Sequence, residues 1–508
     1  MSEKKYTATH PPITDRVGDL QEWIARECQE IEAALKDENV LRAGLRAVAG
    51  VSALRGIRPE NDVLVYLSYH TTAGDGGHGV FRGVTGASAG TYTDDNGITI
   101  VPTGGDGSSA WIRQFSGAVN VKWFGAKGDY DGSSGTDNTS LFQSAVNAAQ
   151  NGTTGVVYIP RSDPSKTYKV TDSVSITKPI RIVGDGINLT TIQGVGLATG
   201  KPIFDFDGTV NPNFEFGGIG RMTLMGGNTA GVIKLNNVSQ FSFDDIGYRN
   251  TTNGIYLTGN RVFSLKFERV KAITTVTGTD IKFDNVNGGQ FSFRSCSFSG
   301  DTGVSIAGAS TYVNGILFDN CNFESNATNA VYFNAALISS VTFNCCRIEK
   351  GPLVGMNFVP STSGWYVRGV AFVGCFWETD TGVGSRGISL GGSSGNVRGI
   401  TFIGNYCQDY DTFIYLNGDG ESVLISSNRL TNVNNIVNVV RTGVLIVNNE
   451  DETSKVGPQW NPPLTTPSYT TTNVVTDRTY DADATTVDEL ADVLGTLIAD
   501  LKSVGIIS

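Results

Sequence analysis

FSFRSC (residues 291–296), ILFDNC (316–321), VTFNCC (341–346) and VAFVGC (370–375) are copies of one six-residue unit. It recurs before them, in FSFDDI ending at Ile246 and LKFERV ending at Val270, and after them, in ITFIGN, VLISSN and VLIVNN ending at Asn405, Asn428 and Asn449. The last position returns at intervals of 24, 26, 25, 25, 29, 30, 23 and 21 residues, so one supersecondary element is being stacked as a solenoid. Ahead of each copy lies a second strand-like run, as in GIYLTGN (254–260) and AVYFNAA (330–336). Two or three strands per copy, with no helical period, predict a mainly β chain whose residues 119–452 form a right-handed parallel β-helix.

Alternation along a strand puts Phe291 and Phe293 on the inner face. The three-residue step from Phe293 to Cys296 breaks that parity and predicts a bend between two strands. Stacked rungs bring equivalent residues to about 4.8 Å. The last positions therefore form an internal ladder, with Cys296, Cys321, Cys346 and Cys375 followed by Asn405, Asn428 and Asn449. The thiols read as small hydrophobes, the amides as rung-to-rung hydrogen-bond partners.

At 508 residues the chain is too long for one compact core, a limit that a solenoid avoids because each rung buries its own slice. The 38 basic and 49 acidic residues leave a net charge of −11 with no basic stripe, which argues against a nucleic-acid partner. There is no apolar leader region and no run of about 18 apolar residues, so nothing marks secretion or membrane insertion. Seven Cys, six of them in rung positions, do not form a disulfide framework and point to folding in a reducing cytoplasm. His70 and His78 lack carboxylates at ligand spacing, and neither a metal nor another cofactor is expected.

Three segments flank the repeat. Over residues 1–60, Val17, Leu20, Ile24, Ile31, Leu35, Leu41, Leu45 and Val48 recur at helical spacing and predict an amphipathic helix pair, packing on its own chain or on copies of itself. Residues 61–118 shorten to strands, in VLVYLSY, GVFRG, ITIVP and AWIRQF, and read as a small β module. Within the start of the β-helix, Thr136 or Asp137 would cap a helix whose apolar face is Leu141, Phe142, Ala145, Val146 and Ala149, placed to cover the open first rung. Over residues 453–508, Pro458, Pro462, Pro463 and Pro467 mark a linker. Val487, Leu490, Leu494, Leu497, Leu501 and Val504 then follow a coiled-coil seam opened by the capping box from Thr486 to Glu489. Fewer than three heptads would not hold alone, so the seam would clamp chains already associated; a single helix docked on the last rung is the other reading.

The order FGAKGD (124–129), Asp137-Asn138-Thr139 with its short helix, VVYIP (156–160), TYKV (167–170) and IRIVGDG (180–186) resembles the opening segment of the pectate-lyase-like β-helix family as it occurs in bacteriophage tailspikes. GDGGHGVFRG (74–83), DNGITIVP (95–102) and AWIRQ (110–114) are similar to the small β module that precedes such helices. The resemblance covers roughly residues 63–200 by motif and the rest by repeat architecture. It implies a homotrimer on the virion tail, made in the host cytoplasm, acting at the bacterial surface and attached to tail or baseplate proteins through residues 1–60. Asn138 stands where the family commonly has a second Asp, and His78 where Gly is usual. With no His beyond His78, the polygalacturonase-type catalytic His is absent, and no calcium-binding pattern of pectate lyases is matched.

Three residues past the ladder, Glu324, Glu349 and Glu378 occupy one column in consecutive rungs, followed by Gln408. Like charges one rung apart repel, which favours one protonated and one ionised member, the pair that glycoside hydrolysis uses. Adjacent rungs give about 5 Å, near the retaining separation, and two rungs about 9 to 10 Å, at the inverting limit. Asp380, Asp301 and Arg347 would complete a groove, with Trp365, Tyr366 and Tyr406 as sugar-stacking candidates. Trp377 reads as core, and Tyr332 and Tyr410 as two further rings able to stack on sugars. The expectation is a spike that depolymerises bacterial capsule or O-antigen by hydrolysis. The alternatives are a non-enzymatic receptor-binding spike, with the Glu column mere surface, and a polysaccharide lyase using Tyr or Lys as base.

Overall fold

The computed structural model describes residues 46–152, 154–211, 213–226, 231–273, 276–349, 354–360, 362–391, 396–417, 420–438, 444–447, 449–451, 475–478 and 486–503. The helical stripe read before Arg46 lies outside them. The chain divides into two compact units, residues 1–116 with 122–125, and residues 117–121 with 126–508.

The first unit holds strands β1 (Arg46–Val48), β2 (Leu64–Leu67), β3 (Gly79–Val84), β4 (Thr99–Ile100) and β5 (Ala110–Gln114), with helix α1 (Val51–Arg55) between the first two. They form one sheet in the order β1-β2-β3-β5-β4, parallel only between β1 and β2. The helical spacing carried through Val48 therefore overshoots. Val48 pairs with Leu67 and packs in the core with Val51, Leu54, Phe81 and Trp111, because a short apolar run takes the structure its partner strand offers. Arg113 is buried among these strands and donates to the carbonyls of Gly97, His78 and Gly77 at 2.9, 2.8 and 3.0 Å. His70 is also buried, with Nδ1 beside the Thr71 hydroxyl and Nε2 beside the Asn96 carbonyl, a structural role.

The second unit is the predicted parallel β-helix. Three sheets run along it, several strands turning a corner from one sheet into the next, and among the described residues the strand pairings between rungs are parallel. In the first sheet Phe243, Phe267, Phe293, Phe318, Phe343, Phe372 and Phe402 stand in register, their rings stacked at centroid separations of 4.6 to 4.9 Å. The parity break after each Phe is a bend at the residue before the ladder: Ser295, Asn320, Cys345, Gly374 and Gly404 all have left-handed backbone, with φ of 50, 52, 50, 61 and 65°. Non-glycine residues pay about 1 kcal/mol or more for this conformation, which the surrounding rung must offset.

The ladder itself does one job with two chemistries. The Cys321, Cys346 and Cys375 thiols each donate to the carbonyl of the Phe one rung back, Phe293, Phe318 and Phe343. From Asn405 on, side-chain amides do the same, Asn405 to Phe372 and Asn428 to Phe402, both at 3.1 Å. A neighbouring Cys thiol on the ladder pushes the Cys321, Cys346 and Cys375 thiols up, so they stay protonated.

Helix α2 (Thr139–Asn151) packs on the strands of the first rung through Phe142, Ala145, Val146 and Ala149, as expected of a cap. Its N-cap is Asn138, neither Thr136 nor Asp137. The Asn138 side chain accepts from the Lys127 N–H at 2.8 Å and donates to the Lys127, Thr136 and Lys169 carbonyls, pinning the loop ahead of the helix. At the other end, α3 (Val487–Ser503) starts at Thr486, whose hydroxyl accepts from the Glu489 N–H. Asp492, Thr496 and Asp500 hold residues 475–478 against one face of α3. Val487, Leu490, Leu494 and Leu497 on another remain exposed. Val504 lies outside the described residues.

Candidate functional site

The second sheet begins immediately after each ladder residue, in strands Ser297–Phe298, Asn322–Glu324, Arg347–Glu349, Phe376–Leu390, Tyr406–Leu416 and Arg429–Thr431. Their second residues, Phe298, Phe323, Ile348, Trp377, Cys407 and Leu430, are all buried inside the helix. First and third residues therefore share the outer face. Trp377 is core, as read from parity.

The third residues are the carboxylate column. Glu324 stands opposite Glu349, and Glu378 opposite Gln408, while Ile348 opposite Trp377 carries the register between them. The three carboxylates are not equivalent. Glu349 is 7% exposed and closed off by an ion pair with Arg347. Glu324 and Glu378 on either side are half-buried, and each has one neutral donor, Asn322 Nδ2 to Glu324 Oε2 at 3.2 Å and Gln408 Nε2 to Glu378 Oε1 at 2.6 Å.

The first residues form a second column beside it, Asn322, Arg347, Phe376, Tyr406 and Arg429 in consecutive rungs. The Arg347 guanidinium lies 5.3 Å from the centroid of the Phe376 ring. Phe376 stacks on Tyr406 at 5.4 Å and 15°, and Arg429 lies over Tyr406 at 5.7 Å. Two aromatic faces bracketed by two guanidinium groups thus run alongside the carboxylates. Phe376 and Arg429 escaped the sequence reading. Their signal was the position directly after the ladder, comparable across rungs like any other.

Arg347 and Tyr406 are brought to the Glu column, and Asp380 lies exposed two residues beyond Glu378 on the same strand. Trp365 and Tyr366 are not. Tyr366 opens the strand Tyr366–Val373, on the far side of a left-handed bend at Gly369 (φ 63°) from the stretch that leads into the ladder. It sits beneath Arg398 instead, 5.8 Å away. Tyr410 is buried with its hydroxyl donating to the Glu378 carbonyl at 3.3 Å, so it is a core residue and not a sugar platform. Arg386 belongs to the third sheet and lies over Tyr415 at 3.5 Å.

Residues 118–357 match the family model described as rhamnogalacturonase A/epimerase, pectate lyase-like, and residues 47–116 match the phage tail protein small four-stranded β-sheet domain. The chain thus carries a pectate-lyase-like domain behind a phage tail β-sheet domain. The first match takes in Glu324 and Glu349, with Glu378 beyond its end. Among solved structures the chain is similar to the tailspike protein of Acinetobacter phage vB_ApiP_P1, at 17% identity over 85% of this chain and 77% of that one, with a TM-score of 0.55. That likeness establishes the shared fold. It is also similar to the tailspike of Acinetobacter baumannii phage AM24 (18% identity, 79% of this chain, 65% of that one, TM-score 0.45). A third similar structure is the tailspike gp49 of Acinetobacter baumannii bacteriophage Fri1, described as a capsular polysaccharide depolymerase (15%, 82%, 77%, 0.45). The chain spans just under two thirds of the AM24 protein's length. No curated protein matches the sequence.

Proposed function

We propose that this β-helix is a tailspike that binds a bacterial surface polysaccharide and hydrolyses its glycosidic bonds, with Glu324 and Glu378 as the working pair. The observation that supports it is the unequal treatment of three stacked carboxylates beside an aromatic platform. Glu349 is folded onto Arg347 and shielded, which leaves a gap between its two half-buried neighbours. Two rungs separate those neighbours by roughly 9 to 10 Å, the upper end of the inverting range. One carboxylic acid would protonate the glycosidic oxygen as its bond to the anomeric carbon breaks. The other would take a proton from the water that attacks the opposite face of the sugar ring. The outward edges of Phe376 and Tyr406, whose faces are taken by each other and by Arg347 and Arg429, would pack against flanking sugars. Residues 1–60 would attach the spike to the tail, and the leucine face of α3 would join three chains, so that repeated weak glycan contacts add as avidity.

The test is release of reducing ends from purified capsule and O-antigen of the host strain, by the intact chain and by Glu324→Gln, Glu349→Gln and Glu378→Gln. Loss of more than about 100-fold in the Glu324 and Glu378 variants, with their melting temperatures retained, supports hydrolysis by this pair. Activity surviving in both would remove them. A second reading, a receptor-binding spike without activity, draws on the fact that each carboxylate already holds a donor of its own chain. Glycan binding by the intact chain with no reducing ends released would favour it.

A further inference from the structure

A cavity of about 340 Å³ opens at the first rungs of the β-helix, between the loop at residues 161–167 and the later strands, and its chemistry is cationic. Arg161, Lys166 and Arg249 line it against a single lining carboxylate, Asp163. This runs against the chain's net charge of −11. Arg161 is partly engaged, its Nε 3.9 Å from Asp185. Among the described residues neither Lys166 nor Arg249 has a carboxylate within ion-pair distance, and the Arg249 Nε is buried with no hydrogen-bond partner. Beside the cations, Thr191 and Asn188 add neutral polar groups, and the exposed Leu189 side chain adds an apolar wall.

The cavity also has a defined place relative to the carboxylates. Gly247 and Tyr248 pair with Lys271 and Ala272, Lys271 with Ser297, and Ser297 and Phe298 with Asn322 and Phe323. Carried one residue on, that register puts Arg249 in the column of Glu324, three rungs earlier on the same outer face. Three rungs span about 14 Å, a distance that a chain of a few sugar units lying along the helix covers.

From this geometry we infer that the cavity is a subsite for a carboxylate-bearing sugar of the polysaccharide, its carboxylate held by Arg249 and Lys166 and its ring by the Thr191, Asn188 and Leu189 wall. A planar guanidinium recognises a carboxylate through two parallel N–H donors, which a hydroxyl of a neutral sugar does not match. The inference rests on the polysaccharide-binding reading and adds the ligand's charge: the glycan is acidic, and its acidic unit sits a few sugars from the bond that is cut.

The test uses the full chain and ligand-observed saturation-transfer NMR, with D-glucuronate, D-galacturonate, D-glucose and inorganic phosphate as probes, so that no turnover is needed. The expected result is saturation of the ring protons of at least one uronate, binding of glucose at least about tenfold weaker, and at least about tenfold weaker uronate binding in both Arg249→Gln and Lys166→Gln. Lys166 is exposed, so its variant reports even if the Arg249 variant folds poorly. Uronate binding unchanged in both variants, or no uronate binding, overturns the proposal. Phosphate displacing uronate at equal or lower concentration, with no saturation of ring protons, also overturns it and leaves a simple anion site. Glu324→Gln and Glu378→Gln should bind uronate as the parent does. Binding retained in a chain that releases no reducing ends would remove the hydrolase and keep the subsite. Release undiminished in Arg249→Gln with no uronate binding would do the reverse.

Discussion

The Asn405 side-chain amide donates to Asn428 Oδ1 at 2.8 Å, and the same oxygen accepts from the Asn405 backbone N–H at 2.9 Å. Asn428 repeats both bonds with Asn449. The Asn428 side chain therefore closes four bonds inside the helix, once its bond to the Phe402 carbonyl one rung back is included. Asn428→Ala would leave two Asn405 donors, the Phe402 carbonyl and the Asn449 oxygen short of partners. The expected loss is about 3 to 5 kcal/mol, seen as a lower denaturant midpoint. Asn428→Cys, which installs the thiol that serves this position in earlier rungs, should lose less. Equal losses in the two variants would mean that the thiol and amide ladders are not interchangeable.

Asp280 gives the chain a pH dependence. Its carboxyl is fully buried, with Oδ2 accepting from the Gly300 N–H at 2.7 Å, and burial pushes its pKa up to about 7. An unfolded Asp titrates near about 3.9. Between those values the folded chain holds a proton that the unfolded chain has released. Stability from this group is thus complete below about pH 4, falls as pH rises toward 7, and levels off above. Asp280→Asn keeps an acceptor for Gly300 and removes the titration. Relative to the parent it should gain stability as pH rises, by up to about 4 kcal/mol at pH 8. Parallel melting-temperature curves for the two proteins from pH 4 to pH 8 would refute this.

The fold was legible because the repeat carries it: a core Phe, replaced by Ile in the last two copies, and the ladder residue three positions on recur nine times, and each copy occupies one rung. Legibility stopped where side-chain direction depends on irregular backbone or on length. Tyr410 falls inside because Asp409 takes left-handed backbone (φ 64°) and breaks the alternation just ahead of it. Trp365 and Tyr366 lie near the Glu column in sequence but a whole strand away in space. The shielding of Glu349 comes from Arg347, two residues earlier on the same face, and sequence does not say which way that guanidinium turns. The cationic cavity was illegible for a stronger reason, since Lys166, Asn188 and Arg249 come from different rungs.

The aromatic platform should act on binding more than on chemistry. Phe376 and Tyr406 stack on each other through one face and are half-buried, with Arg347 and Arg429 at either end. Phe376→Ala and Tyr406→Ala should each raise KM about five- to tenfold, equivalent to about 1 kcal/mol of ring contact, with kcat changed less. A fall in kcat with KM constant would instead place the rings at the reacting bond.

The C-terminal helix carries the clearest unsatisfied surface. Its polar face is occupied by its own chain, with the Asp477 N–H donating to Thr496 Oγ1 at 2.9 Å and the Arg478 guanidinium paired with Asp500. Leu490, Leu494 and Leu497 remain 51, 55 and 52% exposed, so docking on the chain's own last rung does not cover them. A seam of that spacing buries its leucines against equivalent helices, each side chain contributing about 1.5 to 3 kcal/mol when fully covered. Replacing all three with Ser should shift the light-scattering mass at micromolar concentration from three chains to one, while the β-sheet signal in circular dichroism stays. A trimer mass unchanged by the triple substitution would assign assembly to the β-helix faces, and a monomeric parent would remove the seam altogether.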